Sequence, residues 1–168
     1  MTKYSLKEVT KDLHHIAEKH AVGGAMADGT ISEEIWVDWL NALYYIHSTI
    51  DCELSPSLKR TNELAKDISL CSITPNSNFT ALNYAMGLKS HTAVLGACYV
   101  FTGAHLMGGA ITARNIRHRL PVNHLDWDDR KEAVRMWNPL RDMEELSFEA
   151  NRAFENIIKI MDEIMGKR

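Results

Sequence analysis

Nowhere in this 168-residue chain do apolar residues run for the roughly 18 positions that a membrane-spanning helix needs. Charge of one sign is missing too. The net charge of −3 leaves no electrostatic footprint for nucleic acid or an anionic membrane surface, so neither is expected as a partner. There are three cysteines. Cys52, Cys71 and Cys98 stand far apart with no C-x-x-C spacing, which argues against a disulfide framework or a structural zinc site and for free thiols in a reducing cytoplasm. No glycine-rich dinucleotide fingerprint occurs, so no bound flavin or nicotinamide is expected. No glutamate is followed three residues later by histidine, which removes the pairs a di-iron bundle uses. A thiamine-degrading enzyme would need an activated thiol, and none is evident here, since Cys98 sits in an apolar run where burial raises its pKa. Met1-Thr2-Lys3-Tyr4-Ser5 leads directly into a charged amphipathic pattern and does not read as a signal peptide.

What remains is a composition of 45% hydrophobic and 24% charged residues, that of a soluble globular protein forming one domain over residues 1–168. Period-2 alternation is absent and helical period is nearly everywhere. Ser5-Leu6-Lys7-Glu8 has the form of a capping box, opening a helix expected to reach about His20 and end at a Gly23-Gly24 turn. A second signal at Thr30-Ile31-Ser32-Glu33 precedes an apolar stripe of Ile35, Trp36, Trp39, Leu40, Leu43 and Ile46. Ser55-Pro56 starts a helix expected to run to about Leu70. After a Pro/Asn/Ser loop, residues 80–120 are helical in pattern and studded with glycine until Pro121, and two more helices follow, near 128–137 and 143–165. The fold class read from this is all-α, a single-domain helical bundle.

Two constellations carry chemistry. Lys7, Lys11, His14 and Glu18 fall on one helical stripe. A neutral imidazole can bind iron axially, and a carboxylate one turn on can hold its other ring nitrogen and fix the tautomer. Ammonium groups at Lys7 and Lys11 could pair with carboxylates of a ligand. By spacing alone, the same four residues also describe an ordinary solvated helix face, on which His15 and His20 read as surface residues. The second constellation is Tyr99-Val-Phe-Thr-Gly103-Ala-His105-Leu-Met-Gly108-Gly109. Each mid-helix glycine costs roughly 0.5–1 kcal/mol relative to alanine. In return such a helix can bend, and a flat ligand can approach its backbone. Close helix–helix packing is the other use of such a pattern.

Together these stretches resemble the haem (heme) oxygenase family. Leu6-Lys-Glu-Val-Thr-Lys-Asp-Leu-His14-His-Ile-Ala17-Glu18 is similar to the family's proximal helix, L-[KR]-x-x-T-x-x-x-H-x-x-A-E. Leu95 to Gly109 is similar to its distal helix, in the L-Y-V-x-x-G-S-x-L-G-G form of small soluble bacterial members. Leu43-Tyr44-Tyr45-Ile46 and Glu149-Ala150-Asn151-Arg-Ala153-Phe154 match two further motifs, all four in the family's order. The resemblance implies a haem sandwiched between a proximal and a kinked distal helix. His14 would be the axial ligand of haem b, and Glu18, beside Ala17, its supporting carboxylate. Lys7, Lys11 and the Tyr99 hydroxyl would pair with propionates, Gly103, Gly108 and Gly109 would form the distal wall, and Phe154 would pack near the haem edge. Arg114, like Arg117, would bind a propionate or a redox partner, or belong to a solvated basic face. Two positions depart from the family pattern. His105 stands where many members carry a distal aspartate, and His47 where a tyrosine joins the same hydrogen-bond network. His105 could act as a general acid, turn away from the iron, or cap it as a sixth ligand.

The activity so implied is oxidative cleavage of haem, both cofactor and substrate, to biliverdin (IXα expected), CO and Fe2+ with O2. Electrons are expected from a separate soluble donor, a ferredoxin or a reductase, docking on a basic rim of Lys3, Lys7, Lys11, Arg114, Arg117 and Arg119. A bilin reductase could follow downstream. The ending Met165-Gly-Lys-Arg leads us to expect no membrane anchor. The alternative on the same fold is a haem-binding or storage protein without catalysis.

Overall fold

A computed structural model describes residues 4–168, and among these no strand occurs. The first expected helix is two. Helix α1 (Leu6–Val9) stops at Thr10, whose backbone leaves helical geometry (φ −106°, ψ 0°) while its hydroxyl donates to the Leu6 carbonyl. Helix α2 (Lys11–Lys19) then starts afresh. Ser5 sits at the N-cap position of α1 but its side chain makes no capping bond, so the capping box is not formed.

Gly23-Gly24 is not a turn either. Both lie inside α3 (Ala21–Asp28), and a Cβ on Gly23 would stand 2.6 Å from the Ala17 carbonyl oxygen. Gly23 is there because α3 folds back tightly on α2, whereas a Cβ on Gly24 would meet nothing within 4 Å. His20, expected at the surface, makes that joint: one ring nitrogen accepts from the Val22 amide and the other bonds Asp162 at 2.8 Å. The left-handed residue that ends α3 is Gly29 (φ +81°), a conformation glycine adopts without a Cβ penalty.

Helix α4 (Glu33–Ile50) is capped by Ser32 alone, since Glu33 bonds Ser72 instead of reaching back. Its stripe behaves as expected: Trp36, Trp39, Leu40, Leu43 and Ile46 are buried and Ile35 is half-buried. Proline at 56 yields only a 3-10 turn, Pro56–Leu58, and α5 (Thr61–Leu70) is a separate helix. Helices α6 (Phe79–Met86) and α7 (His91–Ala97) are capped by Asn78 and Ser90. A π-helical turn, Cys98–Thr102, continues into α8 (Gly103–Met107), and α9 (Gly109–Ile116) follows. The run from His91 to Met107 meets α9 at 49°, so the glycine-rich stretch does bend, at Gly108. After a 3-10 turn at Asn123–Leu125 come α10 (Arg130–Trp137) and α11 (Ser147–Lys167).

Helix α4 packs against α5, α6 and α11, and α11 also lies against α2 and α7. That arrangement buries the aliphatic and tryptophan side chains between them and leaves α2 and the α8–α9 bend at the periphery. No single helix among the described residues is long and apolar enough to cross a membrane; only the bent pair His91–Met107 and Gly109–Ile116 reaches that length and composition together.

Candidate functional site

On α2 the expected side chains come together. The Nε2 of His14 lies 3.1 Å from Glu18 Oε1, and both side chains are about half exposed or more, at 48% and 64%. The imidazole stacks on Phe154 of α11 with ring centroids 5.1 Å apart. The Glu18 carboxylate therefore stands beside one ring nitrogen, and the ring plane is supported from one side. Ala17 is buried beneath this face. The Thr10 break separates Lys7, on α1, from Lys11 at the start of α2. Both are exposed, and neither they nor Arg114 makes an ion pair among the described residues.

The glycines of the distal stretch face different things. A Cβ on Gly103 would meet the Trp137 ring at 2.6 Å, and one on Gly109 would meet Leu125 at 3.0 Å. These two serve close packing. Gly108 has nothing nearer than the Ala104 carbonyl oxygen at 3.4 Å. Around it Ala104, Met107 and Ile111 are exposed, the last two at 56% and 52%, which makes a bare apolar face on the bend. Tyr99 lies flat on Trp137 (centroids 5.5 Å, planes 4° apart); burial raises its pKa against the opposing effect of the Thr10 hydroxyl.

Part of the basic rim is already engaged. Arg117 is held bidentately by Asp126 at 2.8 and 2.7 Å, and Arg119 donates to the Gly29 carbonyl. Lys3 lies outside the described residues. The three cysteines are free, and burial pushes Cys98 up to about 12, so no reactive thiolate is on offer there.

Behind the bend lies a group of residues that sequence reasoning reached only in part. His105 points into the core, where its Nε2 meets the Nε2 of His47 at 3.1 Å. Its ring is set edge-on to His124 at 5.1 Å. The Nδ1 of His124 is 2.7 Å from Asp67, whose other oxygen accepts from the amide and side chain of Asn123. Asp51 closes the opposite end, 3.8 Å from His47 Nδ1, with one oxygen taken up by the Arg60 and Thr61 amides and the Thr61 hydroxyl. Burial pushes His105 well below 6.5, with the neighbouring rings and Arg60 adding to the shift. Burial also lowers His124 against the pull of Asp67. Asp51, Arg60, Asp67 and His124 are scattered over more than seventy positions of the chain with no local motif, so only the fold shows that they meet.

Two cavities of about 450 and 270 Å3 exist elsewhere. Asp51, Arg60, Glu63, Asp128 and Asp129 line part of the first, and Tyr4, Ser5, Asn138, Arg141 and Asp142 the second; neither includes His14 or Gly108.

No family model and no curated protein matches the chain by sequence. Solved structures do match it. Haem oxygenase-1 of the cyanobacterium Synechocystis, in complex with haem, is similar over 96% of this chain and 91% of its own, with TM-score 0.79 at 18% identity. Haem oxygenase-2 of Synechocystis, in complex with haem and NO, gives 0.80 at 20% identity over 96% and 84%. The haem oxygenase of Leptospira interrogans gives 0.77 at 19% identity over 94% and 97%. One local difference stands out against the family pattern. That pattern has three residues between its glycine and the following glycine pair, whereas this chain has four, Ala104 to Met107. The π-turn at Cys98–Thr102, a bulge of the kind that adds one residue to an α-helix, ends just before that stretch. Across nearly its whole length, this chain has the haem oxygenase fold.

Proposed function

We propose that the protein binds haem between α2 and the α8–α9 bend and cleaves it to biliverdin, CO and iron with O2 and electrons from a soluble donor such as ferredoxin. The observation that carries this reading is His14: an exposed imidazole with the Glu18 carboxylate 3.1 Å from one ring nitrogen and its ring stacked on Phe154. The donor set suits haem, since the His14 nitrogen that Glu18 leaves free can take the iron and the carboxylate strengthens it as a ligand. The fold is also that of proteins solved with haem bound. When bound, haem would supply the redox chemistry, and the protein supplies position and electrostatics. Lys7 and Lys11, exposed and without an ion pair among the described residues, would meet propionates, and the bare apolar face at Ala104, Met107, Gly108 and Ile111 is what a porphyrin would cover. His105 is turned into the core, which supports a distal side lined by the backbone around Gly108 and not by an imidazole.

Hemin titration followed by absorbance tests this. Wild type should give a Soret band that decays to a biliverdin spectrum on adding reductant and oxygen, and His14→Ala should lose or shift that band and stop the reaction. Identical bands and identical turnover in both proteins would remove His14 from the site. A stable Soret band without bilin would leave a haem-holding protein in place of the enzyme.

A further inference from the structure

The His47–His105–His124 group is unusual because every member is buried, at 0%, 5% and 1% exposure, and because it joins four elements: α4, α8, the Asn123–Leu125 turn and, through Asp67, α5. The described histidines, cysteines and carboxylates do not converge on a point that would hold a metal ion. What His47 and His105 share is a proton. Two ring nitrogens 3.1 Å apart need one hydrogen between them, because with none two lone pairs oppose and with two the N–H groups collide. His47 Nδ1 and Asp51 Oδ1 are both buried without a hydrogen-bond partner, 3.8 Å apart. A proton on that nitrogen would face the Asp51 charge across that gap, which favours His105 as the donor at Nε2.

We propose that this imidazole group is a pH-sensitive lock on α8: neutral, it ties the helix to α4, and on taking up a further proton from solvent it lets the helix go. The step is proton addition alone. A ring nitrogen lone pair becomes N–H, and the group gains one positive charge. That charge is poorly placed. His105 faces His47 on α4, His124 on the turn and Arg60 ahead of α5; His124 faces Asp67, His47 and Arg60; and Arg60 in turn faces Asp51, Glu63, Asp126 and Asp128. The two carboxylates nearest the rings are engaged already, Asp67 through both oxygens and Asp51 through one. The proton's entry is at Asp51, which lines the 450 Å3 cavity. The element being held is suited to movement. Helix α8 is five residues long, with the π-turn before it and the Gly108 bend after it, so little regular hydrogen bonding has to be broken. Because α8 carries Ala104 and Met107, the lock would set how firmly the apolar face at the Gly108 bend is presented. The lock itself rests on the cluster and not on what that face binds.

Amide hydrogen exchange on the ligand-free protein tests the lock. Protection of the Gly103–Gly109 amides relative to those of α4, corrected for the intrinsic pH dependence of exchange, should fall about tenfold between about pH 7.5 and 5.5. Two variants guard against loss of fold: His105→Leu, which keeps bulk without a titrating ring, and His47→Gln, which keeps a side-chain partner for His105. Each should cut the pH effect to about threefold or less. Ring-nitrogen NMR supplies the second readout: at neutral pH one Nε2 of the His47–His105 pair should be protonated and the other bare. Equal protection of α8 at both pH values, or a wild-type pH response in both variants, would overturn the proposal. So would His47 and His105 rings titrating independently near 6.5. Hemin titration in parallel separates the two readings, because a pH response of α8 that survives without any hemin binding leaves the lock and removes the haem site.

Discussion

Two glycines five residues apart on the same bend do opposite jobs, and a single methyl group distinguishes them. At Gly103 the methyl would press into the Trp137 ring at 2.6 Å, a flat side chain already fixed by its stack on Tyr99 and its indole bond to the Tyr99 carbonyl. Overpacking of this kind costs about 1–3 kcal/mol. At Gly108 the methyl would meet only the helix's own carbonyl at 3.4 Å, and the gain in helix propensity is up to about 1 kcal/mol. Chemical denaturation should therefore show Gly103→Ala destabilised and Gly108→Ala equal to or above wild type. Because Gly108 lies on the bare apolar face, the same Gly108→Ala should bind hemin more weakly while being no less stable. Unchanged hemin affinity would mean that ligand and backbone do not meet there.

At the scale of elements, the joint between α2 and α3 makes the corresponding contrast. Gly23→Ala should cost about 1–3 kcal/mol, because its Cβ meets a backbone oxygen of Ala17 that has nowhere to move. Gly24→Ala, with nothing within 4 Å, should be neutral or stabilising by up to about 1 kcal/mol. Thermal melts of the two variants decide it, and equal destabilisation would place the turn where sequence alone put it. That joint also shows what was legible. Helix α4 could be read directly, since its stripe is long and its cap is local, and so could the bend of the glycine-rich stretch. The Gly-Gly pair looked like a turn because a glycine needed for close approach and a glycine needed for turning are the same letter. His14 and Glu18 were readable as neighbours because they sit on one helix. Phe154 came only through the family resemblance, and Trp137 and the π-turn's spare residue came only with the fold. Contacts between positions dozens of residues apart leave no periodicity behind.

For the molecule as a whole, the buried charges set a pH response whose direction can be worked out. His105 and His124 are held below 6.5 in the folded state by burial, so the unfolded chain binds more protons just below that pH. Stability from these rings is complete above 6.5 and is lost as pH falls, with a slope of up to about 1.4 kcal/mol per pH unit for each ring. The carboxylates act in the same direction, lower on the scale. Burial would raise Asp51 and Asp67, but the nearby His47 ring and the Thr61 hydrogen bonds in the one case and bonding with His124 in the other leave both lowered. Glu163 is brought to about 2 by Lys167 and the Thr80 and Phe79 amides despite its partial burial. Their contribution is present above the ordinary carboxylate range and is lost as pH falls through the folded values. Unfolding free energy measured by denaturant should thus decline from about pH 7 toward 5 and drop again below about 4, in two stages. His105→Leu should make the first stage shallower, leaving the part that His124 contributes, and leave the second unchanged. A flat profile between 7 and 5 would mean that the buried rings take up their protons in place, at no cost to the fold.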